Sequence, residues 1–164
     1  MTIALVTGSA GLVGAEASAF FSRQGMDVVG IDNDMRARYF GESSSNRHNL
    51  DRLKSEFPRY THHSFDVRER SLLESVFRRH GADLSLILHA AAQPSHDWAA
   101  DHPEVDFSVN AVGTLNLLEL ARAYCPNAVF IFVSTNKVYG DTPNRLPLVE
   151  QETRWEVKPS HPCS

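Results

Sequence analysis

The sequence predicts an α/β protein built on a doubly wound parallel sheet, and three observations carry that prediction. Five short apolar, β-prone runs alternate with helical patterns between Ile3 and Val133, the sequence form of repeated βαβ units. One of them, Leu84 to Leu88, is apolar with little alternation, as a strand covered on both faces must be. The first run ends in a glycine-rich turn that opens a helical pattern. Right-handed crossovers and a start at the sheet centre then give the strand order 3-2-1-4-5.

The first unit runs from Ile3 to Asp32. Its strand, Ile3 to Val6, leads into Gly8-Ser-Ala10-Gly11-Leu12-Val13-Gly14 and a helix to about Gln24, and a second apolar run ends on Asp32. Gly8 permits a tight turn with positive φ. Gly11 lets the backbone approach a pyrophosphate, and Gly14 lets the helix pack close to the strand. The free N–H groups and aligned dipoles at the helix start favour phosphate charge. A carboxylate at position 32 can accept from both adenosine ribose hydroxyls and repels a 2′-phosphate, so the stretch reads as a dinucleotide site preferring NAD to NADP. Arg36 and Arg38 follow closely and soften that preference. An ordinary tight β–α turn would carry similar glycines; the strand before, the helix after and the acid at the right distance argue for the dinucleotide.

Residues 33–46 read as a polar surface connection without regular structure. Leu50 to Phe57 suggests a helix ended by Pro58, and Tyr60 to Phe65 a third strand. Asp66 at its end could accept from an adenine amino group or cap the next helix. That helix spans Glu69 to His80, with Leu72, Leu73, Val76 and Phe77 on one side and Gly81 as its stop. After the fourth strand, Ala90, Ala91 and Ala92 leave room for a cofactor's pyrophosphate and ribose; close packing is the plainer use of small residues. His89 beside them is more simply a hydrogen-bonded core histidine than a metal ligand or base. Pro103 to Tyr124 is a long helical pattern with Pro in its first turn. Asn110 inside it either holds a neighbouring strand end or faces solvent. The fifth strand, Ala128 to Val133, ends in Ser134-Thr135, and residues 141–164, with prolines at 143, 147, 159 and 162, show no period. The expected organisation is a cofactor domain over 1–140 and an irregular tail over 141–164.

Composition narrows the classes. A net charge of −4 gives no reason to expect nucleic acid or an anionic membrane. No apolar run approaches a membrane span, no targeting segment is visible at the start, and a cytoplasmic location is the expectation. Cys125 and Cys163 have neither metal nor redox spacing, so no metal is expected.

Taken together, Thr7-Gly-Ser-Ala-Gly-Leu-Val-Gly14, Asp32-Asn33, Asp66-Val67-Arg68, His89-Ala-Ala-Ala92, Asn110-Ala-Val-Gly-Thr-Leu115 and Ser134-Thr-Asn-Lys-Val-Tyr-Gly140 resemble the extended short-chain dehydrogenase/reductases acting on nucleotide sugars, in that family's order. The resemblance implies a Rossmann-type fold and tightly held NAD, contacted by the glycine turn, Asp32, Asn33, Arg36, Asp66, Val67, Ala90 to Ala92, Asn110 and Ser134. Ser134 to Asp141, Ala92 to Trp98 and Asp141 to Pro147 are similar to stretches of CDP-paratose 2-epimerases. In that group hydride leaves C2 of a CDP-linked dideoxyhexose for NAD and returns to the opposite face. Sugar 4-epimerases and 4,6-dehydratases of the same family are the alternatives. Dehydratases usually place Asp-Glu after the Thr, where Asn136-Lys137 stands here. A non-catalytic dinucleotide-binding module is the reading from another class.

By the resemblance, Thr135 bonds the reacting sugar hydroxyl as a catalytic residue, with strand-end or turn bonding as the plainer role. The family's base is a Tyr whose pKa is depressed by a Lys four residues on, and no Tyr-x-x-x-Lys occurs among these 164 residues. The expectation is an N-terminal fragment that binds NAD without turning over. Two further expectations follow: a homodimer through the helix from Pro103, and marginal solubility from an apolar edge at Phe130 to Val133.

Overall fold

The computed structural model describes residues 2–93 and 95–162, so Cys163, and Pro94 of the stretch Ala92 to Trp98, lie outside the described residues. Two compact units emerge, Met1–Val133 and Ser134–Ser164.

The first unit carries β1 (Ile3–Thr7), α1 (Leu12–Arg23), β2 (Asp27–Ile31), α2 (Met35–Phe40), α3 (Arg47–Glu56), β3 (Tyr60–His63), α4 (Arg70–His80), β4 (Leu84–His89), α5 (His96–Asp101), α6 (Pro103–Phe107), α7 (Gly113–Tyr124) and β5 (Val129–Phe132). The sheet is parallel, in the order β3-β2-β1-β4-β5 expected from the sequence. Alternation along the strands divides the core. Leu5, Val29, Ile31 and Ile87 pack with Leu73, Phe77, Leu117 and Leu120 of α4 and α7. Ala4, Val6, Val28 and Leu88 pack with Ala15, Ala19 and Leu53 of α1 and α3 on the other face. All five residues of β1 are buried, as expected of a strand at the sheet centre covered on both faces.

Several local expectations are corrected. Residues 33–46, expected to lack regular structure, hold α2 and a 3₁₀ turn at Glu42–Ser44. Neither element buries a residue, so no apolar period announces them. α5 was likewise not expected, and it too buries nothing. The third strand stops at His63, before Phe65. The long pattern from Pro103 is α6 and α7 joined through a π-turn at Ser108–Val112, a helix defect that hydrophobic spacing does not reveal. In the second unit, the segment expected to be irregular contains an antiparallel pair, β6 (Leu148–Glu150) with β7 (Trp155–Val157). Among the described residues no helix is long and apolar enough to cross a membrane.

Candidate dinucleotide cleft

The three glycines of the first turn do different physical work. Gly8 has φ +65°, and a Cβ there would sit 2.7–2.8 Å from the backbone of Ala90 and Ala91. A Cβ on Gly14 would lie 2.0 Å from the Gly8 carbonyl oxygen, so the helix can approach the turn only with glycine there. A Cβ on Gly11 would meet only Gly8 O, at 3.2 Å; its space is open because the cleft lies above it. Gly11 is also the N-cap of α1 and no side chain caps that helix, which leaves its first N–H groups to other partners.

Those groups face a cleft of about 510 Å³ at the carboxyl edge of the sheet, where the strand order reverses and α/β sheets bind ligands. Of the residues expected there, Gly8, Gly11, Leu12, Val13, Gly14, Asp32, Asn33, Arg36, Asp66, Val67, Ala90, Ala91 and Ala92 all line it. Ala10 does not. It is buried, and its N–H donates to Asp32 Oδ2 at 3.0 Å. The other Asp32 oxygen accepts from Asp34 N at 2.8 Å. The carboxylate is thereby fixed at the end of β2, and with one bond on each oxygen it keeps acceptor capacity for two more.

Asp66 lines the cleft, as an adenine acceptor would, but does not take the capping role. It does not cap α4, whose N-cap is Glu69 with no side-chain bond. Instead Arg68 donates to it through Nη2 at 2.7 Å, Nε at 2.9 Å and its backbone N at 2.9 Å, and Asn33 Nδ2 donates at 3.2 Å. Burial alone would raise its pKa; these bonds outweigh it and hold the carboxyl below its ordinary value. Its acceptor sites are thus already occupied.

Asn110 does not line the cleft. Its Oδ1 accepts from Gln93 N at 2.9 Å, and its Nδ2 donates to Asp106 at 2.9 Å. It holds the chain leaving β4, the first of the two roles the sequence allowed. His89 is a core residue, 1% exposed. Its Nδ1 lies 2.6 Å from Thr7 Oγ1 and its Nε2 lies 2.9 Å from Thr114 Oγ1. The Thr114 hydroxyl gives its hydrogen to Asn110 O at 2.6 Å, so Nε2 must donate and Nδ1 must accept from Thr7. Burial pushes the ring's pKa down to about 4, and the imidazole is neutral. Among the described residues no group of three or more His, Cys, Asp or Glu gathers as a metal site would require.

Ser134 and Thr135 belong to the second unit. There Thr135 Oγ1 accepts from Lys137 N at 3.3 Å and caps the 3₁₀ turn Asn136–Tyr139, the plainer role considered for it.

Other residues at the cleft escaped sequence reasoning. Tyr39, Asn46, His48 and Asn49 line it, and Asn49 Nδ2 donates to Ala10 O at 2.9 Å. Tyr60, pushed up to about 12 by burial, bonds Ser9 Oγ at 2.9 Å and so braces the glycine turn from β3. These contacts join residues 39 and 51 positions apart, and no local pattern encodes them.

Comparison with known proteins agrees with this geometry. Over 152 residues the chain is 35% identical to the CDP-paratose 2-epimerase of Salmonella typhi, covering 92% of this chain and 41% of that protein. It is 33% identical to a dTDP-glucose 4,6-dehydratase of Neisseria meningitidis, covering 84% and 38%. Among solved structures, the UDP-glucose 4-epimerase of Thermotoga maritima with UDP-glucose superposes with a TM-score of 0.70 at 28% identity, covering 90% of this chain and 42% of that one. The chain thus spans about two fifths of the length of the relatives it matches. The model of the NAD dependent epimerase/dehydratase family matches residues 4–164, and the chain belongs to that family.

Proposed function

We propose that this chain is the NAD-binding portion of a nucleotide-sugar epimerase, and that its reaction is that of the CDP-paratose 2-epimerases. The observation that carries the first clause is the cleft itself. A glycine-rich turn, an uncapped helix start and a braced carboxylate meet at the edge where the strand order reverses. The backbone from Gly11 to Gly14 would hold the pyrophosphate, and Asp32 would accept from the adenosine ribose hydroxyls. Arg36 would serve the adenosine side, Asn33 and Val67 the adenine end, and Ala90 to Ala92 the far ribose. Asp66 shapes the adenine end through Arg68 rather than as a free acceptor. Asn110 acts through Gln93 on the loop after β4.

Bound NAD supplies a reversible hydride acceptor for a sugar carbon, C2 in the CDP-linked dideoxyhexose of this reading. Thr135 bonds the reacting hydroxyl, with Ser134 beside it. The 2-epimerase reading rests on the resemblance at Ser134 to Asp141 and on the 35% identical relative. Asn136-Lys137, where dehydratases usually carry Asp-Glu, weighs against the dehydratase alternative. A homodimer through α6 and α7 is supported by their outer side chains: Phe107, Leu115 and Leu118 are 65%, 56% and 45% exposed, apolar groups that association would cover.

The test bears on the cofactor clause and on the missing base. Purified residues 1–164 are given NAD and CDP-paratose, and binding and product are followed. NAD binding without epimerisation is the expected result, because the 164 residues contain no Tyr-x-x-x-Lys base. Turnover by this chain alone would overturn the assignment of the base.

A further inference from the structure

Tyr39 and Trp98 lie on elements that the core does not hold. α2 follows β2 and α5 follows β4, and neither helix contains a buried residue. β2 and β4 are the two neighbours of β1, so a contact between α2 and α5 passes over the end of β1, where the glycine turn lies. That contact is a pair of rings. The Tyr39 and Trp98 centroids are 4.3 Å apart with planes at 42°, and Trp98 meets His102 on α5's far end at the same distance and angle.

The base of each arm is fixed. The loop carrying α2 is closed where Asp34 accepts from Ser45 Oγ and Asn46 N. α5 begins at Ser95, whose Oγ accepts from Trp98 N and whose backbone is held on both sides by Gln93. The two anchored arms meet through this pair of rings, and because neither helix contributes a buried residue the pair can part without disturbing the sheet. The Tyr39 ring lines the cleft, and its hydroxyl is buried without a hydrogen-bond partner. An unpaired buried hydroxyl is costly, and an oxygen-rich ligand in the cleft would relieve it.

We propose that Tyr39 and Trp98 form an aromatic strap across the cleft that retains the bound dinucleotide, opening for its exchange and closing over it. The inference rests on the reading of the cleft as the NAD site. Trp98 does not line the cleft, so it acts on retention through Tyr39 and is a positioning residue.

The chain is loaded with NADH and chased with excess NAD, and loss of NADH fluorescence gives the release rate. An aromatic pair of ordinary strength predicts a rise of about 2- to 13-fold in Trp98→Ala, while Trp98→Phe, which keeps a ring, stays within about 2-fold of the parent. Tyr39→Leu also accelerates release, and adding Trp98→Ala to it produces little further change because the contact is already gone. Melting curves of the variants verify that each is folded. Release from Trp98→Ala at the parent rate, or fully multiplicative effects in the double variant, overturns the strap. If the parent chain takes up no NADH, the reading of the cleft fails first, and the two failures are distinguishable.

Discussion

Lowering the pH from 7 to 5 should cost this fold stability chiefly through His89. The imidazole is 1% exposed and its pKa is pushed down to about 4 by burial, against about 6.5 in an unfolded chain. The unfolded state therefore takes up the proton first. The stabilisation is complete above pH 6.5 and is lost as pH falls towards the folded value. Linkage between these two pKa values gives a loss of about 2 kcal/mol at pH 5, levelling near about 3 kcal/mol below pH 4. The bonding explains the resistance to protonation. Thr7 donates to Nδ1 in the neutral ring, and a proton placed there would force that hydroxyl to turn away. Urea titrations at pH 7 and pH 5 measure the loss. His62, His63 and His80 are also shifted down, chiefly by burial, and add in the same direction. The informative quantity is thus the difference between the parent chain and His89→Gln, which cannot gain that proton. The variant should start less stable but show a pH dependence smaller by about 2 kcal/mol. Identical pH dependence in both proteins would refute the reasoning.

Further outcomes follow from the same structure. Gly14→Ala should destabilise the chain by about 3 kcal/mol or more, since its Cβ would sit 2.0 Å from a backbone oxygen, and a melting curve reads this as a drop of roughly 6–12 °C. Asp32→Ala should narrow the preference for NAD over NADP, which competitive titration measures as a fall of about tenfold or more, the 2′-phosphate no longer meeting a carboxylate. Leu115→Glu, placed at a 56% exposed position of α7, should convert a dimer to a monomer in sedimentation velocity with little change in melting temperature. A parent chain that sediments as a monomer would remove the dimer proposal.

What the sequence disclosed, and what it did not, follows from how each element is held. β1, β2, β4, α1, α4 and α7 owe their existence to buried apolar faces, and burial leaves a period that can be read. The glycine turn is legible because φ and space at Gly8 and Gly14 admit only glycine. α2 and α5 are held by Asp34, Ser95 and ring contacts rather than by burial, so nothing periodic marks them, and Tyr39 at the cleft went unnoticed with them. Asp66 illustrates a second limit. Its place at the strand end was evident, but the donors that fill it depend on how Arg68 and Asn33 fold back upon it. His89 was legible as a core histidine, while its tautomer depends on Thr114, 25 residues away.

The central claim is that the glycine turn is where a dinucleotide phosphate rests, and calorimetric titration of NAD into the parent chain and Gly11→Ala tests it most directly. The added Cβ meets one backbone oxygen at 3.2 Å, against 2.0 Å for Gly14, so the variant should lose far less stability than Gly14→Ala and stay folded. It should bind NAD at least about tenfold more weakly, or about 1.4 kcal/mol, while the parent binds one NAD per chain. A folded parent chain that takes up no NAD, or a Gly11→Ala variant that binds it as tightly as the parent, would contradict the account.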